Sequence, residues 1–484
     1  MTVAEKSVNS LEPADIPGLL FRGYRKHRFA TLILLRVGDA GAARSWLQAL
    51  LEDPALHFGP DRPGVQVLHV AFTYAGIQEL GIAKDLRDSF APAFREGMTS
   101  DHRVRILGDV GSSAAAGWSW GGADQPVDVL LALYTAGDDE ALHRRRVLAE
   151  LERAEAARLA RVRDLKATPL PEVASEAILR EHFGFADGIS QPVWRGSGLE
   201  NRLTPRERAL HLVAPGEFVL GQPNAYGVVT PVPRIRDHDW AFGTNGTYLV
   251  LRQLSQDVAG FWKYFREQAA GDSADQEPSP DVRLAAKAVG RWPDGSPLTT
   301  CPHQPDPFQG RRNDFGFASF DADGRRCPVG AHVRRGNPRD SKEDDPAAAI
   351  AHANTHRLLR RGRNYGAPPD ASPDRESRGL LFMCLNANLE RQFEFVQQSW
   401  IQNESFAGLQ GERDPLIATQ PEHGGRFSIP EEPVRRRLSG IPQFVTVKGG
   451  AYFFLPGRRG LEQLAGGDTL ASSTDPGLRL GSQS

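Results

Sequence analysis

The stretch FATLILLRVGDAGAARSWLQALL, Phe29 to Leu51, decides the fold. Its opening part, Phe29–Val37, is rich in Leu and Ile and reads as a strand. A helix then places Ala43, Trp46, Leu47 and Leu50 at i, i+3, i+4 and i+7, on one face. Beyond Gly246 the pattern recurs in TYLVLRQLSQDVAGFWKYF, Thr247 to Phe265. There Thr247–Leu254 reads as a strand, and Val258, Phe261, Trp262 and Phe265 repeat the helical spacing. Each copy offers a further strand, Val65–Thr73 in the first and Leu380–Leu385 in the second. The latter leads into a helix with Leu389, Phe393, Val396 and Trp400 on one stripe. A strand at Val127–Tyr134 precedes a charged helix from about Asp139 to Arg161. Two such halves imply a duplicated α+β sandwich, with antiparallel sheets carrying helices on one face. Amphipathic helices also follow strands in α+β chains that are not duplicated, so the pattern alone admits both.

The join is expected near Ser197–Pro215, a polar and charged stretch. That divides the chain into a flexible start (1–15), two halves (16–205 and 206–465) and a Gly/Ser/Thr-rich tail (466–484) expected to be disordered. Asp272–Pro280 and Ala367–Ser377, rich in Pro, Asp and Ser, read as surface loops. The chain has 484 residues, enough for two or three domains or one double domain. A formal net charge of −2, with mixed signs throughout, makes no electrostatic case for nucleic acid or an anionic membrane. The polar start lacks a signal-peptide pattern, and its nearest apolar run is too short to span a bilayer. Three scattered cysteines, Cys301, Cys327 and Cys384, give no disulfide framework and fit a reducing compartment. The expectation is a soluble, cytoplasmic protein.

Two segments carry candidate chemistry. CPVGAHVRRGNPRD, Cys327 to Asp340, holds one histidine, His332, among Arg334, Arg335 and Arg339. A neutral imidazole is a good axial ligand for haem iron, and arginines pair well with propionates. The small Gly330 and Ala331 would let a flat macrocycle approach. A surface histidine in a basic loop reads equally well from this segment alone. FGFADGISQP, Phe183 to Pro192, sets Asp187 in an apolar context with Gly184 and Gly188. Such a carboxylate could shuttle a proton, although an Asp-Gly turn is a common structure. HRLLRRGRNYG, His356 to Gly366, adds arginines, one of which could stabilise charge on a breaking O–O bond. His352 and His356 at i, i+4 lack a third ligand, and no Cys-x-x-Cys, Cys-x-x-Cys-His or Walker A motif is present.

Taken in order, these segments resemble the dye-decolourising peroxidase family. GEFVLGQPNAYG, NGTYLVLRQL and RQFEFVQQSWIQN also resemble the longer members, and the similarity runs from about Ile16 to Tyr452. The resemblance implies two ferredoxin-like halves, antiparallel sheets with peripheral helices, and haem in the C-terminal half. It implies a non-covalent haem b and a peroxidase that reduces hydrogen peroxide while oxidising dyes and phenolics by one-electron steps. By motif, His332 matches the axial iron ligand, Asp187 the distal acid–base group and Arg360 the distal arginine, with Arg361 the competitor. Gly184, Gly188, Arg334 and Arg339 are expected around the cofactor. Asp414 in GERDPL is expected to back the histidine, with Glu412 the alternative. Tyr365 is a candidate for passing electrons from bulky donors at the surface. A haem-binding or haem-transfer protein is the alternative function, with no need of Asp187 and Arg360 together. The terminal GLRLGSQS suits either a free end or docking into a partner such as a protein shell, and a homo-oligomer is left open.

Overall fold

A computed structural model describes residues 11–171, 179–234, 242–273, 277–367 and 377–466. The tail expected to be disordered, and most of the loop Ala367–Ser377, lie outside the described residues.

The first half is built from β1 (Phe29–Val37), α1 (Ala40–Leu51), β2 (Gln66–Phe72), β3 (Val129–Thr135), α2 (Glu140–Ala156) and β4 (Leu159–Lys166). Its strands run in the order β4-β1-β3-β2, all antiparallel. The second half has β5 (Thr247–Gln256), α3 (Val258–Gln268), β6 (Leu359–Arg360), β7 (Arg363–Tyr365), β8 (Gly379–Asn386) and β9 (Val445–Leu455). Its order is β9-β5-β8-β6, with β7 also on β8. In each half the first strand lies between the last strand and the one before it, which is the ferredoxin-like arrangement. The duplication is therefore visible in the topology. A single pairing, Phe72 with Phe454, joins the halves into one sheet of 9 strands.

The local chemistry repeats as well. Helices α1, α2 and α3 each start on an aspartate whose side chain accepts a backbone N–H. Asp39 accepts from Ala42, Asp139 from Leu142 and Asp257 from Gly260. Such a cap is worth roughly 1 kcal/mol. Alternation along β1 sends Ile33 and Leu35 against Trp46, Leu47 and Leu50 of α1. Leu32 and Leu34 point the other way, into a second core with Tyr134, Leu251, Leu381 and Met383. Helices cover one face, and inward residues of both halves share the other. At the far edge, Thr168 N–H donates to the Asn364 carbonyl at 2.8 Å, so the sheet bends back towards itself.

The structure departs from the sequence reading in two helices and at the described end of the 1–15 segment. The charged helix ends at Ala156, not Arg161; Arg158 turns the chain with φ 57°, and Leu159–Lys166 is the edge strand β4. Charged residues suit an unpaired edge, which is why this strand reads as helix. Leu389, Phe393, Val396 and Trp400 are all buried, but on π-helical segments, Glu390–Glu394 and Val396–Ile401, not an α-helix. The stretch Ser197–Pro215 is folded, with a capping box between Thr204 and Glu207 and a parallel pairing of Val193–Trp194 with Leu212–Val213. The described end of the 1–15 segment is likewise ordered: Asp15 is buried and accepts from Asn245 Nδ2 at 2.8 Å. Among the described residues, no helix is long and apolar enough to cross a membrane.

Candidate active site

His332 opens a short helix, α4 (His332–Gly336), straight after the extended residue Ala331. Its Nδ1 lies 2.9 Å from Asp414 Oδ2. The other oxygen of Asp414 accepts the N–H groups of Leu416 at 2.9 Å and Ile417 at 3.0 Å. The aspartate is fully buried, so its charge is held by these three donors. Burial raises its pKa, but the His332 partnership more than offsets this, and the carboxyl sits below its ordinary value. On His332 burial works downward, yet Asp414 prevails and raises the imidazole pKa. With Nδ1 paired to the carboxylate, Nε2 is turned to the opposite side, where it has no hydrogen-bond partner among the described residues.

Arg335, one turn into α4, delivers that acid. Its guanidinium donates to the carbonyls of Trp400 at 2.6 Å, Asn403 at 3.1 Å and Glu412 at 2.5 Å. The π-helical segment ends there, and the Ile401 carbonyl accepts Asp414 N–H at 2.9 Å. Extra π turns are common near functional sites. Glu412 does not reach the histidine. Both its oxygens go to Ser428, from the hydroxyl at 2.6 Å and the backbone N–H at 2.9 Å.

Asp187 sits on a loop tied by Glu181. One Glu181 oxygen accepts Phe185 N–H at 2.9 Å; the other accepts Phe183 N–H at 2.9 Å and Gln256 Nε2 at 2.6 Å. Burial pushes the Glu181 pKa up to about 7 despite these donors. Gly184 and Gly188 adopt φ of 96° and 77°, and a Cβ on either would meet nothing within 4 Å. The loop thus needs glycine for its backbone and leaves open space beside it. Arg360 Nη1 donates to Asp187 Oδ1 at 2.8 Å, and Gly188 N–H donates to the same oxygen at 2.6 Å. Burial alone would raise the Asp187 pKa; the Arg360 charge, these hydrogen bonds and His332 together bring it below the ordinary carboxylate value.

Strand alternation separates Arg360 from its neighbour. Arg361 points away and donates to the Leu19 carbonyl at 2.6 Å and the Leu20 carbonyl at 3.3 Å. The His332, Asp187 and Arg360 side chains each keep about a third of their surface open, at 32%, 38% and 31%. All three are nonetheless mutually coupled by charge inside the protein. His332–Asp414 and Asp187–Arg360 form two separate pairs, near enough for their charges to act on each other.

Other expected residues are placed elsewhere. Arg334 donates to the carbonyls of Asp321 and Cys327 and lies 4.8 Å above the Phe317 ring. Arg339 donates to the carbonyls of Asn313 and Phe315 and to Asn313 Oδ1, 4.0 Å above the Phe315 ring. Both are buried in these protein contacts. A Cβ on Gly330 would meet Phe427 at 3.3 Å, and Ala331 is fully buried. Tyr365 is 8% exposed and packs in the second core, so it is not a surface residue. Sequence reasoning missed Glu181, and also Arg25 and Arg311, two cations close enough to each other and to Asp187 to shift Arg25.

The residues fit a haem. Among the described residues no group of three or more His, Cys, Asp or Glu could hold a metal ion, so His332 would be a single protein ligand. Its carboxylate-backed imidazole, with an unengaged Nε2 and a third of its side chain open, suits iron whose remaining ligands come from a macrocycle. The three cysteines are free and buried, and burial raises the pKa of each, Cys327 and Cys384 up to about 12.

No protein-family model matches the chain. It is similar to a multifunctional dye peroxidase of Amycolatopsis sp., 32% identical over 88% of this chain and 90% of that one. A dye-decolourising peroxidase of Auricularia auricula-judae is 30% identical, over 94% of this chain and 87% of that one. Among solved structures, an ancestral D-type dye-decolourising peroxidase superposes with a TM-score of 0.75 at 27% identity, covering 96% of this chain and 100% of the other.

Proposed function

The chain belongs to the dye-decolourising peroxidase family, and from that premise we propose that Asp187, Arg360, His332 and Asp414 are its working residues. It is a peroxidase that reduces hydrogen peroxide and oxidises organic donors such as dyes and phenolics. The single observation that carries the assignment of roles is the charge coupling of two hydrogen-bonded pairs: His332 with Asp414, and Asp187 with Arg360.

His332 would hold haem iron through Nε2, with Asp414 accepting the Nδ1–H and raising the basicity of the ligand. When bound, haem supplies the iron that peroxide ligates and the oxidising equivalents that pass to the donor. Asp187 is ionised over the working range because Arg360 lowers its pKa. Arg360 and Gly188 occupy Oδ1, which leaves Oδ2 to take a proton from the near oxygen of peroxide. Returning that proton to the far oxygen makes it a water leaving group. The Arg360 guanidinium stabilises the negative charge that develops as the O–O bond breaks.

We take the haem to be type b and non-covalent, since the buried thiols and the absence of a Cys-x-x-Cys-His run argue against thioether links. Three unpaired thiols also fit a reducing compartment, and we place the enzyme in the cytoplasm. A haem carrier would need His332 and Asp414 but not the Asp187–Arg360 pair. The test is a visible spectrum of the purified protein before and after one equivalent of hydrogen peroxide. A Soret band that changes on addition supports the reading; a Soret band unmoved by peroxide favours haem carriage.

A further inference from the structure

A second polar cluster lies behind Arg361, on the opposite side of the short strand β6 from Asp187. Tyr24, 3% exposed, places its Oη 2.8 Å from His57 Nδ1 and 2.8 Å from His69 Nε2. His57 Nε2 is 3.1 Å from the Asp61 carbonyl. A carbonyl only accepts, so His57 carries its proton on Nε2 and its Nδ1 accepts. Tyr24 therefore donates its phenol proton to His57, and the second contact requires His69 Nε2–H to donate to Tyr24 Oη. The result is a one-way chain, His69 to Tyr24 to His57 to Asp61, running from the core to the surface. Burial keeps both histidines neutral, which this chain requires.

The cluster is built, not incidental. Gly18 backs it so closely that a Cβ there would lie 2.0 Å from His57 Nδ1 and 2.5 Å from Tyr24 Oη. The Tyr24 ring packs against buried Tyr134, with centroids 5.1 Å apart and the planes tilted by 36°. The Arg361 charge acts on Tyr24, and Arg361 Nη1 donates to the Arg360 carbonyl at 3.2 Å. Outward, His57 lines a surface cavity of about 460 Å³ with Pro13, Ala14, Phe58, Pro60 and Arg458. A buried tyrosine hydrogen-bonded to a neutral imidazole can lose an electron without placing a net charge on its own oxygen.

We propose that Tyr24 is a redox-active tyrosine that relays single electrons from a phenol bound in the His57 cavity to the cofactor site. This rests on the peroxidase reading above. In the outward step Tyr24 gives one electron to a cofactor oxidised by peroxide; its O–H bond breaks and the proton moves to His57 Nδ1. His57 then carries protons on both nitrogens, and His69 still donates to the phenoxyl oxygen. In the return step the cavity phenol supplies one electron, the Nδ1 proton goes back to Tyr24 Oη, and the phenol releases its own proton to solvent. Each cycle turns one phenol into a phenoxyl radical and uses one of the two oxidising equivalents of peroxide.

The experiment freezes the holoenzyme within a second of adding one equivalent of hydrogen peroxide and records electron paramagnetic resonance alongside the Soret change. The wild type should show a tyrosyl signal with the g-shift of a hydrogen-bonded phenoxyl. Tyr24→Phe should lose that signal while keeping the Soret response, and His57→Gln should reduce its yield. An unaltered tyrosyl signal in both variants overturns the relay. A wild-type Soret band that ignores peroxide defeats the peroxidase reading itself, and the relay with it. For the donor site, Ala14→Trp fills the cavity and should raise KM for 2,6-dimethoxyphenol severalfold without altering the Soret response; an unchanged KM removes the cavity as the site.

Discussion

Arg360 donates to one oxygen of Asp187 only: Nη1 meets Oδ1 at 2.8 Å, and the Gly188 N–H meets the same atom. One oxygen anchors the side chain while the other remains for a proton. Asp187→Asn keeps the size and the anchor but cannot take the proton. In stopped-flow mixing with peroxide, the Soret change should slow by about 10²-fold or more, the usual contribution of a positioned acid–base group. An unchanged rate would move that role away from Asp187.

The Arg360 charge also sets the pH at which Asp187 works. The folded carboxyl lies below its ordinary value, so it stays ionised, and the peroxide reaction keeps its rate into acid below the usual carboxylate range. Arg360→Leu removes the lowering charge and leaves the burial that raises the pKa. The acid limb of the rate should then move upward by about 1–3 pH units. Arg361→Leu should leave that limb where it is, because Arg361 fastens the Leu19 and Leu20 carbonyls and not the carboxylate.

Asp414 and Glu412, two residues apart, should give opposite outcomes. Asp414→Asn withdraws the negative charge behind His332, so the ferric/ferrous midpoint potential should rise and haem affinity should fall by about 10–100-fold. Glu412→Gln disturbs only the Ser428 contacts and should leave the potential unchanged, with a lower melting temperature. Spectroelectrochemical titration of both variants separates them; a shift in Glu412→Gln alone would reverse the assignment.

Glu181 makes the Asp187 loop sensitive to pH. Its folded pKa is raised to about 7, so the folded state holds a proton that the unfolded chain has lost. That stabilisation is complete below the unfolded pKa and declines as pH rises through about 7. Glu181→Gln is permanently neutral and should flatten this part of the melting-temperature profile. It also leaves one N–H of the loop without an acceptor, a loss of about 1–3 kcal/mol. A profile as steep as wild type would contradict the role.

Asp187, His332 and Arg360 were legible because each sits in a short motif whose neighbours are glycines or arginines, and the strand repeat placed them in two matching halves. Arg360 and Arg361 could be told apart only once β6 was seen as a strand, since alternation sends adjacent side chains to opposite faces. The contacts of Arg334 and Arg339 were not legible. A cluster of cations next to a histidine reads as a propionate site, and what the motif does not show is that these buried guanidiniums satisfy loop carbonyls. The α2 boundary failed because an edge strand and an exposed helix accept the same charged residues. Tyr24, His57 and His69 lie far apart in sequence, share no motif spacing, and meet only through tertiary packing.

The most direct test of the central claim is a cavity variant at the proposed iron ligand. His332→Gly should take up haem poorly, lose the wild-type Soret position and react slowly with peroxide. Added imidazole should restore the Soret band and most of the peroxide reaction, because Asp414 remains in place to accept the Nδ1–H of the exogenous ligand. A His332→Gly protein with the wild-type spectrum and full peroxide reactivity in the absence of imidazole would contradict the account.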